Sequence, residues 1–133
     1  PKYVLLELTE SGFLEGSEVM FERMQEIRLD KFSISMDDFG TGYSTMTMLR
    51  NQPVDQIKLD RGFIEDMQNS RSRIIASHTI NMLKELGVHL LAEGVETKEQ
   101  QDFLLECGCT EAQGFFYYKP MPSEEFETLL DKK

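Results

Sequence analysis

The sequence predicts an α/β fold built on a parallel sheet, and three observations lead there. Short apolar runs of strand length alternate with stretches whose apolar residues recur at helical spacing. Gly87 and Gly108 each close one of the amphipathic stretches, as helix-ending glycines do. Polar and charged residues then collect at the ends of the short runs. Strands that alternate with helices form right-handed βαβ units. A closed (β/α)₈ barrel and an open doubly wound sheet both satisfy this pattern. No G-x-G-x-x-G follows the first strand, so a dinucleotide fold gains little support.

Taken in order, Tyr3-Val4-Leu5-Leu6-Glu7-Leu8 is a short apolar run that ends in polar Thr9-Glu10-Ser11. Val19, Met20, Met24 and Ile27 form a helical stripe. Phe32 to Met36 alternates with period two and is expected to stop at Asp37-Asp38. Gly40-Thr41-Gly42 reads as a loop, with Ser44 capping a short helix that carries Met48 and Leu49. Pro53 closes that segment before a third strand, Gln56 to Leu59. Ser70 or Ser72 opens a longer helix with Ile75, Thr79, Met82, Leu83 and Leu86 on one face, stopped at Gly87. Val88 to Ala92 is the fourth strand. Thr97-Lys98-Glu99-Gln100 is a capping box ahead of Phe103, Leu104 and Cys107. Ala112 to Phe115 is a weaker fifth strand, and Ser123 caps a last helix with Phe126, Leu129 and Leu130.

Composition limits the function. With 24 acidic and 14 basic residues in 133, the net charge of −10 argues against DNA or RNA backbone binding by bulk charge. A small phosphate ligand remains open where a divalent cation mediates the contact. No run of about 18 apolar residues provides a membrane segment, and no basic region with an apolar core marks a secretory signal. The expected location is the cytoplasm. Cys107 and Cys109 lack a second pair and read as two reduced thiols. The start at Pro1, directly before a strand-like run, reads as a cut from something longer.

Glu7, Asp37 with Asp38, Lys58, Glu93 and Gln113 each lie at or near the C-terminal end of a different predicted strand. In a parallel barrel those ends converge on one mouth. Four carboxylates delivered there cannot all ionise without compensation, because each raises its neighbours' pKa. Hard divalent ions such as Mg²⁺ or Mn²⁺ relieve that repulsion, and adjacent Asp37-Asp38 suits a pair of them. Two such ions are a recurrent device for activating water against a phosphodiester. Lys58 either makes a structural ion pair or steadies the attacking water. Gln113 either packs as a satisfied amide or contacts substrate. Glu10 and Glu96 read as loop-bracing groups, Asp60 and Glu65 as surface or cap residues, and His78 and His89 as structural.

At these same residues the sequence resembles the EAL family, bacterial phosphodiesterases that hydrolyse cyclic-di-GMP. The matching blocks are Glu7-Leu8-Thr9-Glu10-Ser11, then Asp37-Asp38-Phe39-Gly40-Thr41-Gly42-Tyr43-Ser44, then Pro53 with Ile57-Lys58-Leu59-Asp60. Ala92-Glu93-Gly94-Val95-Glu96-Thr97 follows with Gln100, then Gly108-Cys109, Gln113-Gly114 and Lys119-Pro120-Met121-Pro122. The resemblance implies a TIM-like (β/α) barrel, two Mg²⁺ or Mn²⁺ ions and hydrolysis of cyclic-di-GMP to linear pGpG. It makes Glu7 a metal ligand, Asp37 a bridging ligand, and Asp38 a ligand or water contact at the second metal. Lys58 corresponds to the lysine holding the nucleophilic water, Glu93 to the general base or second-metal ligand, and Gln113 to the site glutamine. Phe39, Gly40, Thr41, Gly42, Tyr43 and Ser44 match the family's regulatory and dimerisation loop, braced by Glu10.

Two departures stand out. Thr45-Met46 replaces the usual serine and leucine, and neither the E-A-L tripeptide nor the asparagine ligand expected before Glu7 occurs in this sequence. The expectation is therefore that residues 1–133 are the C-terminal portion of a single EAL domain, about the last five strand–helix units of the barrel. Such a piece is expected to be inactive alone. A homodimer through the loop after Asp38, or through open barrel edges, is the expected assembly. The alternative is a degenerate EAL module that senses cyclic-di-GMP or binds protein.

Overall fold

The computed structural model describes residues 4–9, 18–40, 49–50 and 54–131. Five strands appear there: β1 (Leu5–Thr9), β2 (Ser33–Phe39), β3 (Gln56–Leu59), β4 (His89–Ala92) and β5 (Glu111–Ala112). Five helices accompany them: α1 (Glu18–Leu29), α2 (Gly62–Glu65), α3 (Ser70–Glu85), α4 (Lys98–Glu106) and α5 (Ser123–Leu130). The strands pair in parallel in the order β1-β2-β3-β4-β5, so each neighbour is the next in sequence. Sequential order without reversal is the pattern of a barrel wall; a doubly wound sheet reverses direction at a switch point. Among the described residues the sheet is open at β1 and β5.

Register explains which face is which. Leu8, Met36, Ile57 and Leu90 lie in one row across four strands, and Glu7, Ser35, Gln56 and His89 lie in another. The first row meets the helices and joins the core with Met24, Ile64, Ala76, Ile80, Leu83, Phe103 and Leu104. Burying each of the larger ones contributes about 1.5–3 kcal/mol. The second row is the polar face, from which the site rises. No helix among the described residues is long and apolar enough to cross a membrane.

Several expectations hold. β3 matches its predicted span, and Gly87 follows α3 with φ of +74°. The α4 capping box forms: Thr97 Oγ1 accepts from the Gln100 amide, and Gln100 Oε1 accepts from the Thr97 amide. Asp60 Oδ1 accepts from the Gly62 amide and Glu65 pairs with Arg61 at the surface, as read.

Others need correction. β2 does not stop at Asp37 but runs through to Phe39, because a register shift against β3 absorbs one extra residue. The α3 cap is Asn69, whose Oδ1 accepts from the Arg71 and Ser72 amides. Its buried face is Ala76, Ile80 and Leu83, while Ile75 and Leu86 are exposed. Both stripes have helical period; the small Ala76 lets the helix sit close to the sheet and decides between them. The fifth strand is only Glu111–Ala112, one residue earlier than expected. Ser123 is the first residue of α5 and makes no cap bond; Pro122 occupies that place, and Phe126 and Leu130 stay exposed. Cys109 is buried, its thiol pushed up in pKa chiefly by burial.

Candidate metal and water-activating centre

The centre begins with the irregularity in β2. Met36 faces Ile57 and Phe39 faces Leu59, so three steps on β2 span two on β3. Strict alternation from Met36 would send Asp38 into the core and Phe39 out. Instead Asp38 adopts φ of +57°, a left-handed conformation that aspartate tolerates better than most residues. Phe39 is thereby returned to the core at 1% exposure, and both Asp37 and Asp38 are kept out of it. Adjacent carboxylates thus reach one site. Gly40, at φ of +100°, completes the turn; a side-chain carbon there would run into the Phe63 ring, which stacks on Phe39.

Lys58 projects from β3 beneath this turn. Its ammonium lies 2.9 Å from Glu93 Oε1, 3.1 Å from Asp37 Oδ1 and 3.2 Å from Glu7 Oε1. Burial opposes its charge, yet the three carboxylates it faces, Glu93, Asp37 and Glu7, outweigh burial and hold its pKa well above the ordinary lysine value. Three carboxylates on one ammonium leave two negative charges in excess. Asp37 Oδ1 is sealed from solvent and, despite the nearby ammonium, has no hydrogen-bond donor in proper alignment.

Glu93 and Gln113 are set by pairing that continues past the strand ends. The Glu93 amide donates to Leu59 O at 3.0 Å, and the Gln113 amide donates to Ala92 O at 2.8 Å. Gln113 Nε2 then donates to Glu93 Oε1 at 2.5 Å. Gly114 makes this possible, since any side-chain carbon there would collide with the Val95 backbone.

Asp37, Asp38 and Glu93 each offer an oxygen within 4.8 Å of the others. An all-carboxylate donor set, with one oxygen otherwise unsatisfied, fits a hard divalent cation. Glu7 reaches the same lysine but is not one of these three. Glu96 is exposed, with its backbone amide bound to Gln100, and stands apart from the carboxylates around Lys58. His78 and His89 are exposed and outside the cluster. Glu10, Thr41, Gly42, Tyr43 and Ser44 lie outside the described residues, as do Met48 and Pro53.

The sequence reading missed a neighbouring groove of about 810 Å³. Arg61, Glu96, Gln113, Phe115, Tyr118 and Lys119 line it, together with apolar residues of α5. Arg61 lies three residues past Lys58, on the turn after β3.

With this geometry in view, comparison with known proteins gives one answer. The family model for the EAL domain matches residues 1–120. Over 127 residues the chain is 39% identical to the cyclic di-GMP phosphodiesterase RocR of Pseudomonas aeruginosa, covering 95% of this chain and 32% of RocR. The crystal structure of the EAL domain of Mycobacterium smegmatis DcpA superposes with a TM-score of 0.90 at 38% identity, covering 97% of this chain and 58% of that one. Klebsiella pneumoniae BlrP1, solved as a manganese/cy-diGMP complex, superposes at 0.79 with 30% identity, over 85% of this chain and 29% of that one. The chain thus spans less than two thirds of each. Fold, strand-end carboxylates and these likenesses agree that the chain belongs to the EAL domain family.

Proposed function

We propose that this chain forms the metal-binding and water-activating side of a centre that hydrolyses cyclic-di-GMP to linear pGpG in bacterial second-messenger signalling. One observation carries the reading: four neighbouring strands bring Glu7, Asp37 and Glu93 onto the ammonium of Lys58, with Asp38 beside Asp37 and Glu93. A scaffold has no physical need to gather and bury such charges. The names of RocR and of the BlrP1 complex supply the substrate, and the latter supplies manganese.

Asp37, Asp38 and Glu93 would hold Mg²⁺ or Mn²⁺, two ions in the whole domain, with Glu7 completing the set. Bound there, a divalent ion supplies positive charge that polarises phosphate oxygens and lowers the pKa of water. The chain's own groups do the rest. Lys58 stays protonated and orients the incoming water toward phosphorus. Glu93 takes the proton at Oε2, because Oε1 is held by Gln113 Nε2 and Lys58, which fix the carboxylate's aim. Water attacks phosphorus in line as the P–O3′ bond breaks, and the 3′-oxygen takes a proton from solvent, giving a 3′-hydroxyl and a 5′-phosphate monoester.

The groove beside Gln113 suits a guanine base. Phe115 and Tyr118 offer stacking faces, Arg61 a donor fork for O6 and N7, and Glu96 an acceptor for N1–H and N2–H. Phe115→Ala is expected to raise KM for cyclic-di-GMP about tenfold with kcat little changed; steady-state kinetics checks it. An unchanged KM removes Phe115 from the base site.

The described residues provide five strands, and we assign the activity to the parent domain in the cytoplasm. Two copies associate through the loop after Asp38 or through the open sheet edges; exposed Ile75 on α3 lines a hollow with Gly40 of that turn. Sedimentation velocity is expected to show a dimer, and a monomer at micromolar concentration contradicts it. Incubating the full-length protein with cyclic-di-GMP and Mn²⁺, with and without chelator, tests the activity. Binding without conversion to pGpG favours the sensor module instead.

A further inference from the structure

We infer that Gln100 is a positioning residue that clamps the loop after β3 to the loop after β4, and thereby sets Lys58 against Glu93. Its side chain is divided between two tasks. Oε1 accepts from the Glu96 amide at 2.8 Å and the Thr97 amide at 3.0 Å, completing the capping box of α4. Nε2 reaches 36 residues back in the chain and donates to Ile64 O at 3.0 Å, in α2. A capping box needs only the first task, and glutamate serves it as well as glutamine. The second task needs an amide.

The two segments so joined carry the centre. Lys58 precedes Ile64 by six residues, with short α2 closing the turn between them, and Glu93 precedes Gln100 by seven. α2 has a single turn, so its carbonyls depend on partners outside the helix. The Ile64 side chain is 1% exposed, which anchors that turn to the core. Gln100 therefore ties a core-anchored turn to the backbone of residues 96 and 97, three and four residues past Glu93. The other side-chain bridge nearby, Gln68 to Glu99, is exposed and so worth less. Loss of the Nε2 bond would let the two loops separate, lengthening the 2.9 Å Lys58–Glu93 contact and misaligning Gln113 on Glu93.

The inference rests on the proposed hydrolase reading only where it predicts rates. Gln100→Glu keeps the cap acceptor but has no hydrogen for Ile64 O, whereas Gln100→Ala loses both. Positioning predicts that the glutamate variant fails as the alanine variant does. Both are expected to lower kcat about tenfold with KM unchanged, as loss of a supporting hydrogen bond at a metal centre does. Amide hydrogen exchange at Glu93 is expected to quicken about tenfold in Gln100→Glu while Leu104, in the core of α4, exchanges as in wild type. Wild-type exchange at Glu93 in Gln100→Glu overturns the inference and reduces Gln100 to a helix cap. A wild-type protein that fails to turn over cyclic-di-GMP sinks the hydrolase reading instead, and the exchange measurement still decides the clamp.

Discussion

Asp37→Asn is expected to cut turnover of cyclic-di-GMP by about a thousandfold and to weaken Mn²⁺ binding at least tenfold, with the fold intact. Asparagine has nearly the same volume, so the packing under Phe39 survives. What disappears is the charge at an oxygen that is sealed from solvent and lacks an aligned donor. Asp37 also belongs to both groups, 3.1 Å from Lys58 and offering an oxygen within 4.8 Å of those of Asp38 and Glu93. Removing its charge therefore weakens both halves of the centre at once. Kinetics and Mn²⁺ titration check the two effects, and wild-type turnover in this variant excludes Asp37 as a metal ligand.

Lys58→Met is the second large effect, and here stability and activity part company. Without metal, Glu7, Asp37 and Glu93 lose their shared cation and face one another across a small volume. Removing one partner of a buried ion pair costs about 3–5 kcal/mol. Glu7 is about half exposed, which moderates the repulsion, so a loss of about 2 kcal/mol is expected. A divalent ion answers the same excess charge. Mn²⁺ is therefore expected to raise the melting temperature more in Lys58→Met than in wild type. Turnover is expected to stay down by at least about a hundredfold even when the fold is restored. Equal Mn²⁺ shifts in both proteins would show that lysine and metal do not answer the same charges.

Legibility in the sequence followed how local each feature is. β3 and the α4 capping box were readable because four or five adjacent residues determine them. The strand-end residues were readable because parallel topology turns chain position into spatial convergence. The bulge in β2 was not, because the left-handed Asp38 is selected by pairing with β3 and by the demand that Phe39 reach the core. The buried stripe of α3 was ambiguous for a similar reason, since Ile75 and Ala76 differ in position by a single residue and only the sheet distinguishes them. The aromatic groove escaped because Arg61, Glu96 and Phe115 come from three separate turns, none with a pattern of its own.

Hydrolysis by water at this mouth is the central claim, and ³¹P NMR of the reaction in ¹⁸O-enriched water with Mn²⁺ tests it most directly. Cleavage as proposed yields pGpG whose 5′-phosphate carries one ¹⁸O, with no product from Asp37→Asn. Cyclic-di-GMP that binds the full-length protein and is recovered unchanged would contradict the account.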